Sequence, residues 1–577
     1  MEIVIFLKIY SFDQDRFHAL GHQFFWGMPE SLKVINSRRL SSSWWWFAAA
    51  TIAIVLFSPL TVILSSFLER PGEGWQMISQ YLLLEYISGT VIMIIGVGAT
   101  VLFLGVGSAW IITVWDFPYK RFFSLALMMP MAIPTYVMAF AYSDVKYDIR
   151  DPLMLLIKER WGTSVMSQST EIFNHGLAII ILSFALYPYV YVAARVGFSE
   201  ISGAYIENSR LLGRGLFRSM FSVGLPLARP AIVGGLLLAL LEVMNEYGAM
   251  TFYGIETLTT GIFVSWTDLG DKDSAIRLAA IAMVFVLLII ILERLLRGRA
   301  KFHAHRSSKK NLSIKTRTKF GSFVAFSCCG LLFLFSFVLP IANLTINTFR
   351  GWGKSNLINI IQGPLVDSFL VSLIGCLGIV VAALVVSYAS RLFPSLFMKT
   401  LSKLCMLGYA VPGAVVAISI LIYFSGMGKY LGFTTLTSFM FTLTPAGLII
   451  AYFVRFMTPA LAPIEAGMTR INMNMDEASS MLGRSSWGSF FKVHLPLLRF
   501  PLLGAMIVLF VDILKELPLT LVLRPPNIET LATTSYGLIQ KEERIVDGSF
   551  PALVLVITGA LAVLALHLLI LKRIVKE

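Results

Sequence analysis

Long apolar blocks alternate along this chain with short polar stretches, and each block is about the length of a bilayer-spanning helix. Such a helix needs about 20 mainly apolar residues. Twelve blocks qualify, near 44–67, 87–112, 122–142, 176–194, 230–252, 276–296, 321–345, 368–388, 401–424, 438–457, 500–522 and 551–571. The roughly ten-residue alternating segments of a transmembrane β-barrel are absent. The pattern predicts an all-α integral membrane protein. Residues 509–526, LFVDILKELPLTLVLRPP, place Asp512, Lys515 and Glu516 at i, i+3 and i+4, on one helical face. A charge at mid-bilayer costs on the order of 3 kcal/mol, so this face is expected inside the bundle and away from lipid.

Composition agrees: of 577 residues, 57% are hydrophobic and 14% charged. A net charge of +14 would suggest nucleic acid in a soluble protein, but its distribution follows the positive-inside rule. Residues 294–319 hold ten Lys/Arg and no acid. Lys33, Arg38 and Arg39 precede the first block, and Lys572, Arg573 and Lys576 follow the last. Segments 143–175, 253–275 and 524–550 are mixed or acidic. With twelve spans, both termini and the basic central stretch are expected on the cytoplasmic side of a bacterial inner membrane. Residues 1–41 lack a signal-peptide cleavage pattern and read as a cytoplasmic extension.

The chain repeats itself. Residues 207–246 align without a gap onto 477–516, with fourteen of forty positions identical at an offset of 270. Shared apolarity does not explain matched Leu212-Gly213-Arg214/Leu482-Gly483-Arg484, Leu225-Pro226/Leu495-Pro496 and Glu246/Glu516. The domains are therefore a first six-helix repeat at 42–296, a basic cytoplasmic linker at 297–319 and a second repeat at 320–577. Equal helix counts make the repeats parallel, related by a pseudo-two-fold axis along the membrane normal, with a pathway expected between them.

Between its fourth and fifth spans each repeat carries Glu-x-Ser-x-x-x-Gly, nine residues, then Val-x-Leu-Pro. These are Glu207, Ser209, Gly213, Val223, Leu225 and Pro226, then Glu477 (followed by Ala478), Ser479, Gly483, Val493, Leu495 and Pro496. The stretch before each Gly is expected to form a short helix that the Gly ends, and Leu-Pro is expected to mark a second boundary. Both loops resemble the EAA motif of permease subunits of ATP-binding-cassette importers, although Asn208 replaces the usual Ala in the first. The stretches 242–271 and 512–533 are similar to the fused permeases of periplasmic-binding-protein-dependent ferric-iron importers, and the resemblance covers about residues 42–577. It implies a type I importer fold and docking of a separate ATPase, in two copies, on the two loops. It also implies a periplasmic binding protein that delivers the substrate. ATP and Mg would then belong to the ATPase, with no cofactor in this chain. Related fused permeases carry thiamine, phosphonate or other small ligands.

Chemistry within the chain is sparse. Gly353-Lys354-Ser355 lacks the upstream Gly of a P-loop, since Thr348 stands there. His303/His305 and His18/His22 recruit no ligand set at metal spacing, and Cys328, Cys329, Cys376 and Cys405 read as packing residues. No nucleophile–base pair suggests an enzyme. Two constellations remain. Glu242, Asn245 and Glu246 are the repeat partners of Asp512, Lys515 and Glu516, and these six are expected beside the pathway or in an inter-half network. Glu256-Thr257 and Glu529-Thr530, in the matched stretches IETLTT and IETLAT, are expected near the substrate entrance, touching the binding protein or forming a repeated turn. A proton-coupled secondary transporter using Glu242, Glu246, Asp512 and Glu516 as a relay is the competing reading. The Pro-rich stretches at 128–134 and 409–415 are expected to kink spans three and nine.

Overall fold

The computed structural model describes residues 30–65, 72–200, 209, 211–213, 215–297, 314–315, 319–353, 357–432 and 444–576. Ten helices among them are long and apolar enough to cross a membrane, and two further bent pairs raise the number to twelve. The bent pairs are the informative differences from the sequence pattern. The third block is not one straight helix: Lys120–Ala132 and Thr135–Ala141 meet at 97°. Pro134 caps the second piece from an extended conformation, because proline lacks the N–H that helix continuation needs. Its counterpart Pro412 likewise caps Gly413–Leu431, so the ninth span starts there and not near 401. The tenth helix is Ala446–Thr469, shifted from the expected 438–457.

Leu-Pro does not end a helix in the first half, contrary to expectation. A π-helical turn, Met220–Gly224, precedes Pro226, and the helix runs on to Asn245. The wider turn accommodates the missing N–H and the pyrrolidine ring. The second half has the same π turn, Phe490–His494, but bends by 73° just beyond Pro496, between Ser486–Leu497 and Arg499–Leu514.

The two repeats exchange their first helices. Glu30–Phe57, which begins inside the stretch read as an extension, packs on Leu357–Leu392 and Leu396–Met406 of the second half. Trp45 anchors it, with ring centroids 4.8 Å from Tyr388, 4.4 Å from Trp487 and 5.0 Å from Phe490. In return, Lys319–Phe333 and the π turn Leu334–Val338 lie on the first half. There Phe326 meets Phe123 at 5.3 Å, Phe333 meets Phe122 at 5.8 Å, and the Tyr142 hydroxyl donates to the Phe335 carbonyl. Farther along, Asn343 donates to Asp144 at 2.7 Å. Both hydrophobic cores consequently draw residues from both halves. Aromatic side chains bury large areas, so these exchanged contacts bind the halves together independently of the linker.

Candidate functional site: two repeated motifs and an inter-half cavity

At one end of the bundle the two motifs adopt matching geometry. Ser209 and Ser219 are buried with their hydroxyl oxygens 2.9 Å apart, and Ser479 and Ser489 repeat the pair at 2.7 Å. Gly213 and Gly483 both have left-handed backbones, φ 79° and 74°, a conformation that side chains with a Cβ disfavour. In the second half Asn474–Met481 is the short helix expected from the spacing. The Arg484 amide returns to the Ser479 carbonyl at 3.2 Å and the Gly483 amide to Ser480 at 3.0 Å, closing the helix end. Just before each Gly, an apolar pair stands in the open: Leu211 and Leu212 are 85% and 81% exposed, Met481 and Leu482 89% and 76%. Residues 221–228 and 491–498 match in burial position by position, with Leu225 and Leu495 half-buried and Pro226 and Pro496 exposed. Glu477 and Ala478 are exposed, and Glu207 lies outside the described residues.

The second motif has an anchor that the first lacks. Arg391 donates to Asp476 from Nε at 2.9 Å and Nη2 at 2.6 Å, and to the carbonyls of Met468 and Ile471 at 2.6 and 2.9 Å. His494 Nε2 lies 2.7 Å from the other Asp476 oxygen. At the 270 offset, Asp476 and His494 correspond to Ile206 and Gly224, so the first half has no such triad.

The six polar residues of the fifth and eleventh spans gather where those helices stop. Met220–Asn245 ends before Glu246, and Arg499–Leu514 ends before Lys515. Each terminal glutamate then accepts from the amide three residues on: Glu246 from Ala249 at 2.7 Å and Glu516 from Leu519 at 3.2 Å. These contacts cap the short helices Gly248–Tyr253 and Pro518–Leu523. The expected single helical face holds for Asp512 and Lys515, an ion pair at 2.8 Å. Glu516 lies past the helix end and pairs with Arg455, 3.3 Å away and buried like itself. Arg455 also donates to the Val411 carbonyl at 2.8 Å. Motif reading passed over this arginine, although a lone charge within the tenth apolar block was a usable signal.

Contacts between halves run through the same residues. Tyr409 donates to Glu242 at 3.3 Å, and the Gly413 amide donates to Asn245 at 2.7 Å. Within the first half, Thr135, just after the Pro134 bend, donates its hydroxyl to Glu246. A cavity of about 60 Å³ lies among them, lined by Glu242, Asn245, Glu246, Lys515 and Glu516 together with Tyr136, with room for a few waters. Among the described residues no three His, Cys, Asp or Glu side chains converge to hold a metal.

The matched stretches IETLTT and IETLAT, expected at the external face, separate into two kinds of residue. Thr257 and Thr530 are buried N-caps whose side chains accept from the Thr260 and Thr533 amides, each in a reciprocal capping box. The following amides, Leu258 and Leu531, donate to Thr90 at 2.9 Å and Ser368 at 2.7 Å on neighbouring helices. Both threonines are buried, and their side chains are engaged in capping the turn. Glu256 and Glu529 remain exposed. Partial desolvation of its carboxyl group and the nearby Glu85 nevertheless push Glu256 above its ordinary pKa.

Similarity to known proteins agrees with this arrangement. The chain is 25% identical over 451 residues to the Fe(3+)-transport system permease protein FbpB 2 of Haemophilus influenzae, covering 78% of this chain and 83% of that one. It is 24% identical over 402 residues to the ferric transport system permease protein FbpB of Actinobacillus pleuropneumoniae, covering 65% of this chain and 55% of that longer relative. A putative 2-aminoethylphosphonate transport system permease protein, PhnV of Salmonella typhimurium, is 26% identical over 261 residues, 43% of this chain and 92% of its own. Residues 101–300 and 374–576 each match the family described as binding-protein-dependent transport system inner membrane component, and the chain belongs to that family.

Proposed function

We propose that this chain is the permease of an importer that takes ferric iron from a periplasmic binding protein. In this reading a separate ATPase supplies the energy, with one copy docked on each motif and both chain termini on the same, cytoplasmic side. The observation that carries the docking assignment is the repeated tip: an exposed apolar pair, a left-handed Gly and a buried Ser–Ser hydrogen bond at repeat-matched positions in both halves. Exposed apolar side chains on an otherwise ordered turn suit a hydrophobic groove on a partner. ATP and Mg would bind that partner.

Iron is favoured over an oxyanion by charge. Around the inter-half cavity four carboxylates, Glu242, Glu246, Asp512 and Glu516, stand against two cations, Lys515 and Arg455, and that excess of negative charge opposes passage of a phosphonate and favours a cation. Alternating access would open and close the bundle around that level. The test is reconstitution of permease and ATPase in proteoliposomes with each candidate binding protein. Uptake of radioactive iron that requires the iron-loaded binding protein and ATP supports the proposal. Uptake of labelled 2-aminoethylphosphonate in its place would overturn the substrate, and uptake driven by a proton gradient without ATPase would overturn the class.

A further inference from the structure

The two halves treat their matched carboxylates differently. In the second half each acid has its own cation: Asp512 has Lys515 and Glu516 has Arg455. The repeat register shows what the first half has instead. Asn245 stands at the place of Lys515, and the 270 offset puts Ala185 at the place of Arg455. Packing supports extending the register that far back. A Cβ on Gly197 would lie 3.1 Å from both Ala228 and Ala231, and one on Gly467 would lie 2.9 and 2.8 Å from Leu498 and Pro501. Each of those neighbours is displaced by the same offset.

Among the described residues Glu242 and Glu246 thus have no ion pair of their own, Glu242 feeling only the field of Lys515 and Arg455, which are held by the second-half acids, and the cavity opens beside them, with Ala185 in its wall. Their neutral contacts leave oxygen lone pairs to spare: Glu242 has the Tyr409 hydroxyl, and Glu246 has Thr135 and the Ala249 amide. A separate observation points to an occupant. Tyr136 lines the cavity, is 3% exposed, and its buried hydroxyl has no hydrogen-bond partner. A buried hydroxyl without a partner is costly unless something fills the space beside it.

We infer that Glu242, Glu246 and Tyr136 form a binding site for a hard metal cation on the first-half side of the cavity, and that Asp512 and Glu516 do not take part. This rests on the cation-import reading and sharpens it to one half. Carboxylate, phenol and water oxygens suit hard ions, and two carboxylates without a third fit a site that must also release its ion. Arg455 and Lys515 keep the second-half acids occupied, so repeat-matched substitutions have unequal effects.

The test uses the full-length permease in lipid nanodiscs and terbium(III) alone as the probe, a hard trivalent oxygen-seeking ion whose bound fraction is read by equilibrium dialysis, so that loss of the Tyr136 ring does not itself change the signal. Glu242→Gln/Glu246→Gln is expected to weaken terbium binding roughly tenfold or more, whereas Asp512→Asn/Lys515→Gln, which removes the second-half ion pair without freeing its cation, leaves it within about twofold. Asn245→Lys, which installs the second half's cation without removing a carboxylate, is expected to weaken binding similarly. Tyr136→Phe removes one oxygen and no charge, and carries the test if the double variant fails to assemble. Unchanged binding in Tyr136→Phe and Asn245→Lys, or a loss in Asp512→Asn/Lys515→Gln as large as that in Glu242→Gln/Glu246→Gln, overturns the assignment. Iron uptake by the wild-type complex, measured in parallel, separates the two readings: uptake without this terbium pattern sinks the site alone, and absence of uptake sinks the import reading.

Discussion

Replacing Gly483 separates backbone geometry from partner contact at the docking motif. Gly483 has φ 74°, and a Cβ built there meets nothing within 4 Å. Within the permease, a side chain at this position therefore has only a conformational cost. For an L-residue the left-handed region costs about 1–2 kcal/mol, while Asn enters it more readily than most. A valine should depopulate the docking-competent turn by roughly five- to thirty-fold, at about 1.4 kcal/mol per tenfold, and an asparagine by much less. Gly213, with φ 79° and the same open surroundings, should behave alike. The assay is titration of the detergent-solubilised permease with the purified ATPase, reading Kd for Gly483→Val, Gly483→Asn, both Gly213 counterparts and the double valine variant. The expected order is wild type, then asparagine, then valine. Losses in the double variant should add as free energies if the motifs dock independently. Equal weakening by asparagine and valine would refute the backbone argument and place the effect in a clash with the partner. Wild-type affinity in the double valine variant would refute docking at these turns.

Three further outcomes follow from particular contacts. Arg455→Met should destabilise the protein by about 3–5 kcal/mol, because it leaves Glu516 buried without its cation; adding Glu516→Gln should recover part of that loss in thermal unfolding, and a double variant no more stable than the single would contradict the pairing. Arg391→Ala, which frees Asp476 and the carbonyls of Met468, Ile471 and Asn472, should weaken ATPase cross-linking at Met481 while sparing Leu211, and equal loss at both would show that the triad does not act locally. Thr530→Ala should cost about 1 kcal/mol as a lost helix cap without changing binding-protein affinity, whereas Glu529→Lys should change that affinity with little effect on melting; the reverse pattern would return Thr530 to the interface.

Much of this architecture is written in local patterns. An apolar run of about 20 residues declares a span whatever it packs against, and a repeated Gly or Leu-Pro declares a shared turn. Glu246 and Glu516 were visible in the same way, as costly residues placed twice. Other features depend on contacts distant in sequence. Nothing near Trp45 announces Tyr388 or Trp487 as neighbours, since an apolar first helix suits either half equally well. The 97° bend at Pro134 and the uninterrupted helix through Pro226 show that proline alone does not decide between a break and a π turn, and the same π turn before Pro496 is followed by a 73° bend. Thr257 and Thr530 looked like surface chemistry because their motif is polar, yet its polarity is spent on capping. Arg455 stood alone in an apolar block, and its meaning emerged only when Glu516 was placed beside it.

The exchanged first helices also set a timetable for making the protein. The helix ending at Phe57 finds its principal packing surface on Leu357–Leu392, which is synthesised some hundreds of residues later. At about 5–20 residues per second, that helix waits roughly a quarter of a minute to a minute in the bilayer before its site exists. Throughout that interval Trp45, destined for the Tyr388 cluster, faces lipid or whatever insertion machinery shelters it. The first half therefore cannot finish folding when its own translation ends. Covalent fusion of the halves keeps the waiting helix close to the partner it needs, at a far higher effective concentration than two separately made chains would reach.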